Sequence, residues 1–477
     1  MQTNPPEVDF SKKWLVLASV SMGIFLATID GSIVNISLPT LVHAFETDFA
    51  LVQWVVLSYL LTVTTLMLGV GRLADIYGKK RIYTAGFIVF TAGSVLCGLS
   101  PTVQALIGFR VVQAVGASMT MALGMAIVTE AFPGHERGRA LGITGTIVSV
   151  GIAIGPTLGG FIIQNFSWRW IFFVNLPIGI LGTWMVIRYV PNFQPAGGQR
   201  FDYWGAVTLC VTLLSFLIGL TTGQRVGFGE LPVILLLGTA LIFFGIFIKL
   251  ELGLDEPMLD LRLFKNSLFS VSLTTGFIVF LCLSGSILLI PFYAENVLGY
   301  GPQQTGMLMA VVPLALGISA PISGALSDRY GTRPITVAGL AMLTVGFILV
   351  SGLNAETTAL EYVLRFLPIG IGMGMFQSPN NSAIMGAAPR SRLGIASGML
   401  SVTRTLGQTA GIAILGALWA GQVFKNVGNV LPGGATTAPI AAQVAGLQAT
   451  FLFVSVFIFL ALLLSIWGMR EEGKQSV

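Results

Sequence analysis

Gly71-Arg-Leu-Ala-Asp75-Ile-Tyr-Gly78-Lys-Lys-Arg81 returns in altered form as Gly324-Ala-Leu-Ser-Asp328-Arg-Tyr-Gly331-Thr-Arg333, with 253 residues between the two aspartates. Both stretches fit G-x-L-x-D-x-x-G-x-[KR] and sit as polar punctuation between long apolar runs. A second echo pairs Arg137-Gly-Arg139-Ala-Leu-Gly142 with Arg390-Ser-Arg392-Leu-Gly394 at nearly the same offset. Two matches at one offset imply a chain built from duplicated halves.

The apolar runs identify the solvent. Hydrophobic residues make up 54% of the 477 and charged residues 9%, whereas a soluble domain carries charge on about a quarter of its residues. Runs of 18 or more nearly uncharged residues recur from end to end, each long enough to cross a hydrocarbon core of about 30 Å at 1.5 Å per helical residue. The reading is an all-α integral membrane protein of fourteen spans. At roughly 34 residues per span with its loop, the 253-residue offset covers eight intervening spans better than six. Two six-helix bundles, residues 14–190 and 267–469, therefore flank a linker, 191–266, that holds two extra spans at Tyr203–Thr222 and Leu231–Leu250. Short tails, 1–13 and 470–477, complete the division.

Charge sets the orientation. Placing the N-terminus inside puts 19 of the 25 Lys and Arg on that side, with Arg169, Arg225 and Lys425 opposite and Arg110, Arg365 and Arg404 within spans. The positive-inside rule then places both termini in the cytoplasm and the protein in the cell membrane. The net charge of +5 follows from this asymmetry, and no basic run long enough for nucleic acid is present. The first apolar stretch continues from Trp14 to Leu41 without a small-residue cleavage site, so it reads as a retained helix rather than a leader. Cys97, Cys210 and Cys282 have no ligand or pairing spacing and read as small apolar residues.

Further motifs accompany the repeat. The fifth span carries Gly151-Ile-Ala-Ile-Gly155-Pro156-Thr-Leu-Gly159-Gly160, the first carries Ile29-Asp30-Gly-Ser-Ile-Val-Asn35-Ile-Ser-Leu-Pro39, and the sixth opens with Trp168-Arg-Trp-Ile-Phe-Phe-Val-Asn-Leu-Pro177-Ile-Gly179. Together with the loop signature these resemble the fourteen-span drug:proton antiporters of the major facilitator superfamily, and the resemblance covers essentially the whole chain. It implies parallel six-span halves with substrate near the midplane between them, a proton gradient in place of any cofactor, and amphipathic small molecules as cargo. Arg110, in Arg110-Val-Val-Gln113-Ala114-Val-Gly116, resembles the family's membrane arginine implicated in proton coupling; alanine stands at 114 where the family usually has glycine.

Each motif also has a physical reading. Gly71 permits close helix approach, and Asp75 is placed to cap a helix or pair with Arg72 or Arg81, so that Gly71, Arg72, Asp75, Gly78, Lys79, Lys80 and Arg81 form a candidate cytoplasmic gate. Gly324, Asp328, Gly331 and Arg333 are its second-half counterpart. Glycines at 151, 155 and 159 leave one bare helix face, and Pro156 removes a backbone hydrogen bond. Arg404-Thr-Leu-Gly407-Gln408-Thr-Ala-Gly411 occupies the equivalent stretch of the second half without that motif. An acid at mid-span, as Asp30 is, costs about 2.5 to 3.5 kcal/mol on insertion scales and is a functional candidate by default. Burial disfavours its charged form and a nearby arginine favours it, the balance that a proton carrier needs, so Asp30 and Arg110 are the coupling pair. Arg365 reads as the duplicated counterpart of Arg110. Gln113, Arg404, Met373, Phe376, Gln377, Asn380 and Asn381 are the candidate substrate cavity, mixing adaptable thioethers with hydrogen-bonding amides.

Other classes fit poorly. No H-E-x-x-H, G-x-S-x-G or P-loop pattern occurs, which removes the support for a membrane enzyme or an ATP-driven pump. Duplicated halves with gate-like loops favour alternating access over a channel. Export of an anionic lipid or fatty acid, using the buried arginines, stands as the alternative cargo, and membrane lipids join protons and amphipathic molecules as expected partners.

Overall fold

Lipid offers no partner to a backbone N–H or C=O, so an apolar segment in a bilayer closes its hydrogen bonds on itself. In the computed structural model, fourteen helices among the described residues are long and apolar enough to cross a membrane. It describes residues 12–133, 136–192, 202–253, 264–387, 393–431 and 433–475. In chain order the helices are α1 (Lys13–Ala44), α2 (Trp54–Tyr77), α3 (Lys79–Gly98), α4 (Val103–Ala131), α5 (Arg137–Asn165) and α6 (Asn175–Tyr189), then α7 (Tyr203–Val226) and α8 (Leu231–Gly253). The second set is α9 (Ser267–Phe292), α10 (Val311–Tyr330), α11 (Thr332–Val350), α12 (Ala359–Ala387), α13 (Leu393–Val427) and α14 (Ile440–Gln475). Short helical turns precede α2 (Phe49–Val52), α6 (Trp170–Phe173) and α10 (Pro302–Met309), and a π-helical turn, Tyr293–Val297, extends α9. Helix α14 runs to Gln475, beyond the 469 boundary expected for the last bundle.

Local signals set the helix ends. Thr102, Asp202 and Asn266 accept hydrogen bonds from the backbone N–H of Ala105, Gly205 and Phe269, at 3.2, 2.8 and 3.2 Å, each a cap worth about 1 kcal/mol. Gly78 ends α2 at φ +92° and Gly331 ends α10 at φ +89°. Each donates its N–H to the carbonyl four residues back at 2.9 Å. The sequence repeat is thus a repeat of one backbone turn whose left-handed φ favours glycine.

Glycine contacts repeat at the same offset. A Cβ on Gly93 of α3 would lie 2.6 Å from the Gln113 Cα on α4, and one on Gly346 of α11 would lie 2.6 Å from the Ile369 side chain on α12. Gly86 and Gly339 are paired in the same way against Met119 and Phe376, and both pairs are 253 residues apart. Small residues bring helices together where lipid removes the hydrophobic incentive to associate.

The buried core shows how the halves meet. At the end of the bundle that carries Gly78 and Gly331, called here the basic end, one cluster belongs to the first half alone (Val16, Tyr83, Phe87, Val128, Phe132) and a separate one to the second (Phe269, Leu273, Ile384, Met399). At the opposite end a single cluster draws on both, joining Leu38, Leu41, Phe49 and Val52 to Leu289, Phe292, Trp419 and Val423. Phe49 packs edge-on against Phe292 and Trp419, with ring centroids at 4.9 and 5.0 Å. All three are buried. The halves are therefore sealed together at the end away from the repeated loops. Helix α7 of the inserted hairpin packs against α2 and α13, one helix from each half, and Trp54 Nε1 donates to Thr221 Oγ1 at 3.2 Å. Helix α8 packs on α7 and is mostly uncovered.

Candidate functional site

Asp30 lies near the middle of α1 and is fully buried within the first half. Both carboxylate oxygens are engaged. Arg110 Nη1 donates to Oδ2 at 2.6 Å, while Gln113 Nε2 and Asn175 Nδ2 donate to Oδ1 at 2.7 and 3.0 Å. Arg110 is held from other sides, donating through Nε to the Val55 carbonyl at 3.0 Å and through Nη1 to Gln113 Oε1 at 2.7 Å. Its guanidinium stacks on Tyr59, 4.1 Å from the ring centre. The Ser94 hydroxyl accepts from Gln113 and Asn175 and donates to the Phe172 carbonyl.

Both carboxylate oxygens and the guanidinium are thus met by charge-assisted hydrogen bonds, the condition for an ion pair to exist in an apolar interior. The sequence places Arg110 and Gln113 one turn apart on α4, so both reach the same point on α1. Asp30 and Arg110 thus meet as the coupling reading expects. Gln113, expected in the substrate cavity, instead belongs to the Asp30 cluster. Asn175, Ser94 and Tyr59 were not singled out from sequence, although Asn175 stands within the Trp168–Pro177 signature.

The glycine motif of α5 connects this cluster to the other half. A Cβ on Gly151 or Gly155 would overlap the hydroxyl of Thr28 or Ser32, the residues that flank Asp30 on α1. Ser32 Oγ also donates to the Gly151 carbonyl at 3.1 Å. Gly159 faces Ile33 and Ile36. Gly160 abuts the Pro302 carbonyl, and Gly306 abuts that of Pro156, so the same helix touches the segment that precedes α10. In the second half, Gly407 and Gly411 lie against the Phe277 and Leu281 carbonyls of α9. The glycine face is duplicated, and Pro156 is not.

The remaining candidates are dispersed. Met373 and Phe376 are buried among side chains of the second half, packed in its core. Gln377 and Asn381 are half-buried, and Asn380 is buried, donating through Nδ2 to the Ser272 carbonyl at 3.1 Å. Arg404, half-buried, lies over the Phe280 ring at 4.9 Å. Arg365 donates to the Gly352 carbonyl at the far end of α11 and binds no carboxylate among the described residues. Like Arg110 on α4 it stands about two turns into its helix, and its partner differs. At the basic end, Lys79 pairs with Glu130, Lys80 is half-buried, and Arg81 and Asp328 are exposed. Arg333 is buried beside Gly468. Gly324 faces Ser378. Gly71 lies within α2, while the side chains of Arg72 and Asp75, and with them the expected pairing of Asp75, lie outside the described set. No group of three His, Cys, Asp or Glu side chains able to hold a metal occurs among the described residues.

Comparison with known proteins agrees with this architecture. The family model described as Major Facilitator Superfamily matches residues 20–412. Riboflavin transporter RibZ of Clostridioides difficile is 35% identical over 97% of this chain and 99% of its own. Multidrug resistance protein Stp of Mycobacterium tuberculosis is 35% identical over 85% of this chain and 76% of its own, and multidrug transporter protein MdtP of Bacillus subtilis is 30% identical over 86% and 75%. Among solved structures, a bacterial homolog of the human lysosomal transporter Spinster, inward-facing and occupied, superposes with a TM-score of 0.68 over 95% of this chain and 96% of its own. At 18% identity that likeness speaks for the fold alone. Duplicated six-helix halves, a matching family model and transporter relatives along nearly its whole length show that this multi-pass membrane protein is a transporter rather than an enzyme and belongs to the major facilitator superfamily.

Proposed function

We propose that the protein is a proton-coupled exporter of amphipathic compounds, working by alternating access with its basic end in the cytoplasm. The observation that carries the reading is the buried Asp30 cluster on a helix that packs against α5, because α5 touches both the residues that flank Asp30 and the segment before α10 in the other half. The charge asymmetry supports the orientation. With the halves joined at the opposite end and separate at the basic end, the conformation faces the cytoplasm, and the intact Asp30–Arg110 pair is its proton-free form. In the cycle proposed, substrate enters from the cytoplasm or inner leaflet and the halves rock outward. A proton from outside then binds Asp30, neutralises the carboxylate and loosens its tie to Arg110. Return to the inward state releases the proton to the cytoplasm and re-forms the pair. Multidrug-named relatives support an amphipathic cargo, and the riboflavin transporter shows that the cargo varies among relatives.

Proton release from reconstituted protein, after a panel of cationic dyes and anionic lipids is added to one side, tests this directly. Release that disappears in Asp30→Asn is the expected outcome. Transport of any of the compounds without accompanying proton movement removes the coupling.

A further inference from the structure

The interior charges are distributed unevenly between the halves. In the first half, Asp30 and Arg110 neutralise one another. In the second, Arg404 is the twelfth residue of α13 counted from the basic end, at a depth matching the middle of α9, and its described contact is an aromatic ring. No carboxylate pairs with it among the described residues. A cation at this depth is expensive and is ordinarily matched by an acid or by backbone carbonyls. The ring contributes only about 0.5 to 2 kcal/mol.

One turn along α9 from the ring beneath Arg404 is an open glycine position. Gly276 is buried on α9, one turn from Phe280, yet a Cβ there would meet a single atom within 4 Å, the Asn380 Nδ2 at 3.5 Å. Glycines such as Gly93, Gly155, Gly346 and Gly411, which pack helices together, have contacts of 2.6 Å or less, so Gly276 borders a notch rather than a seam. Ser272, Gly276 and Phe280 follow one another every four residues and share a face of α9. The Ser272 hydroxyl and the Asn380 Oδ1, both buried, have no hydrogen-bond partner. The strip therefore presents a hydroxyl, an amide, an empty recess, an aromatic ring and a guanidinium in series.

We infer that this strip of α9, with Asn380 and Arg404 on either side, is a binding site for a singly charged organic anion on an apolar body, with a carboxylate or phosphate group taken by Arg404. The inference rests on the export reading and narrows its cargo. An arginine without a protein carboxylate is satisfied by the substrate's own charge, and its fork geometry suits carboxylate and phosphate alike. Asp30, the mid-span acid of the first half, does not compete, since it is already bound by three donors.

The experiment uses three fluorescent amphiphiles with the same twelve-carbon tail, ending in a carboxylate, a methyl ester or a trimethylammonium group. Binding to purified full-length protein is measured first, and transport into vesicles under an imposed pH gradient second. A phosphatidylglycerol competitor separates a free anion from a lipid headgroup as the natural source. The wild type is expected to bind the carboxylate at least tenfold more tightly than the other two. Arg404→Gln removes that preference, Arg404→Lys restores part of it, and Gly276→Leu weakens all three probes together by filling the recess. Melting temperatures within a few degrees of wild type confirm that the variants are folded. Preference for the cation or the ester, absence of carboxylate binding, or an unchanged preference in folded Arg404→Gln overturns the inference. Tight carboxylate binding without gradient-driven transport leaves the site standing and sinks the export reading instead.

Discussion

Arg110 donates to a carboxylate, a side-chain amide and a backbone carbonyl at once, so its removal exposes several groups rather than one. Arg110→Ala leaves Asp30 buried without its cation, and breaking a buried pair on one side costs about 3 to 5 kcal/mol. Replacing both partners by apolar residues of similar size is often neutral or stabilising. Thermal melts should therefore rank Arg110→Ala below both the wild type and the double variant Asp30→Leu, Arg110→Met. The double variant should nevertheless have lost gradient-driven transport. A double variant no more stable than Arg110→Ala would argue against the pair as a self-contained unit. The two charged members of this cluster were legible in the sequence because an ionised group in a span is costly enough to stand out. Asn175 and Ser94 were not, since uncharged polar residues occur throughout these spans and only the fold brings them to Asp30. Met373 and Phe376 are packed in the core of the second half, a placement the sequence does not distinguish from a cavity wall, because apolar residues on a helix look the same on either face.

At the scale of single helices, glycine is used in two separable ways. Gly78 and Gly331 serve backbone conformation: no atom lies within 4 Å of a Cβ at Gly78, so Gly78→Ala should cost about 1 to 2 kcal/mol from its positive φ alone, and Gly331→Ala a similar amount. Chemical or thermal unfolding of each single variant measures this. Gly155 serves proximity. Its substitution by alanine drives a methyl into the Ser32 hydroxyl, and transport should fall at least tenfold. Because the nearest obstacle is a side chain, Ser32→Gly in the same protein should recover part of the activity; a double variant as inactive as the single one would mean that backbone displacement dominates. The loop repeat and its glycines were readable because turn geometry restricts residue type locally. The duplicated packing of Gly407 and Gly411 on α9 was not, because it is recognised by what lies opposite rather than by the motif itself.

For the molecule as a whole, the offset between the two loops predicted six helices, an inserted pair and six more, and the fourteen helices fall in that order. What no local pattern disclosed is where the halves touch, since Phe49, Phe292 and Trp419 are far apart in the chain and each reads alone as an ordinary apolar residue. Phe49→Ala removes the ring that joins the other two, a truncation worth about 3 to 5 kcal/mol when buried. Much of that loss should fall on the conformation in which this end is closed, because the contact joins the two halves there. Spin-label distances across the two ends should show the opposite end widening and the basic end narrowing. Unchanged distances in a folded variant would show that the aromatic trio does not hold the closure. The composition of this contact also bears on temperature. Contact between apolar surfaces weakens on cooling. A closure made of phenylalanine and tryptophan should therefore loosen in the cold, and on the proposed orientation the population of the outward-open state should rise as temperature falls.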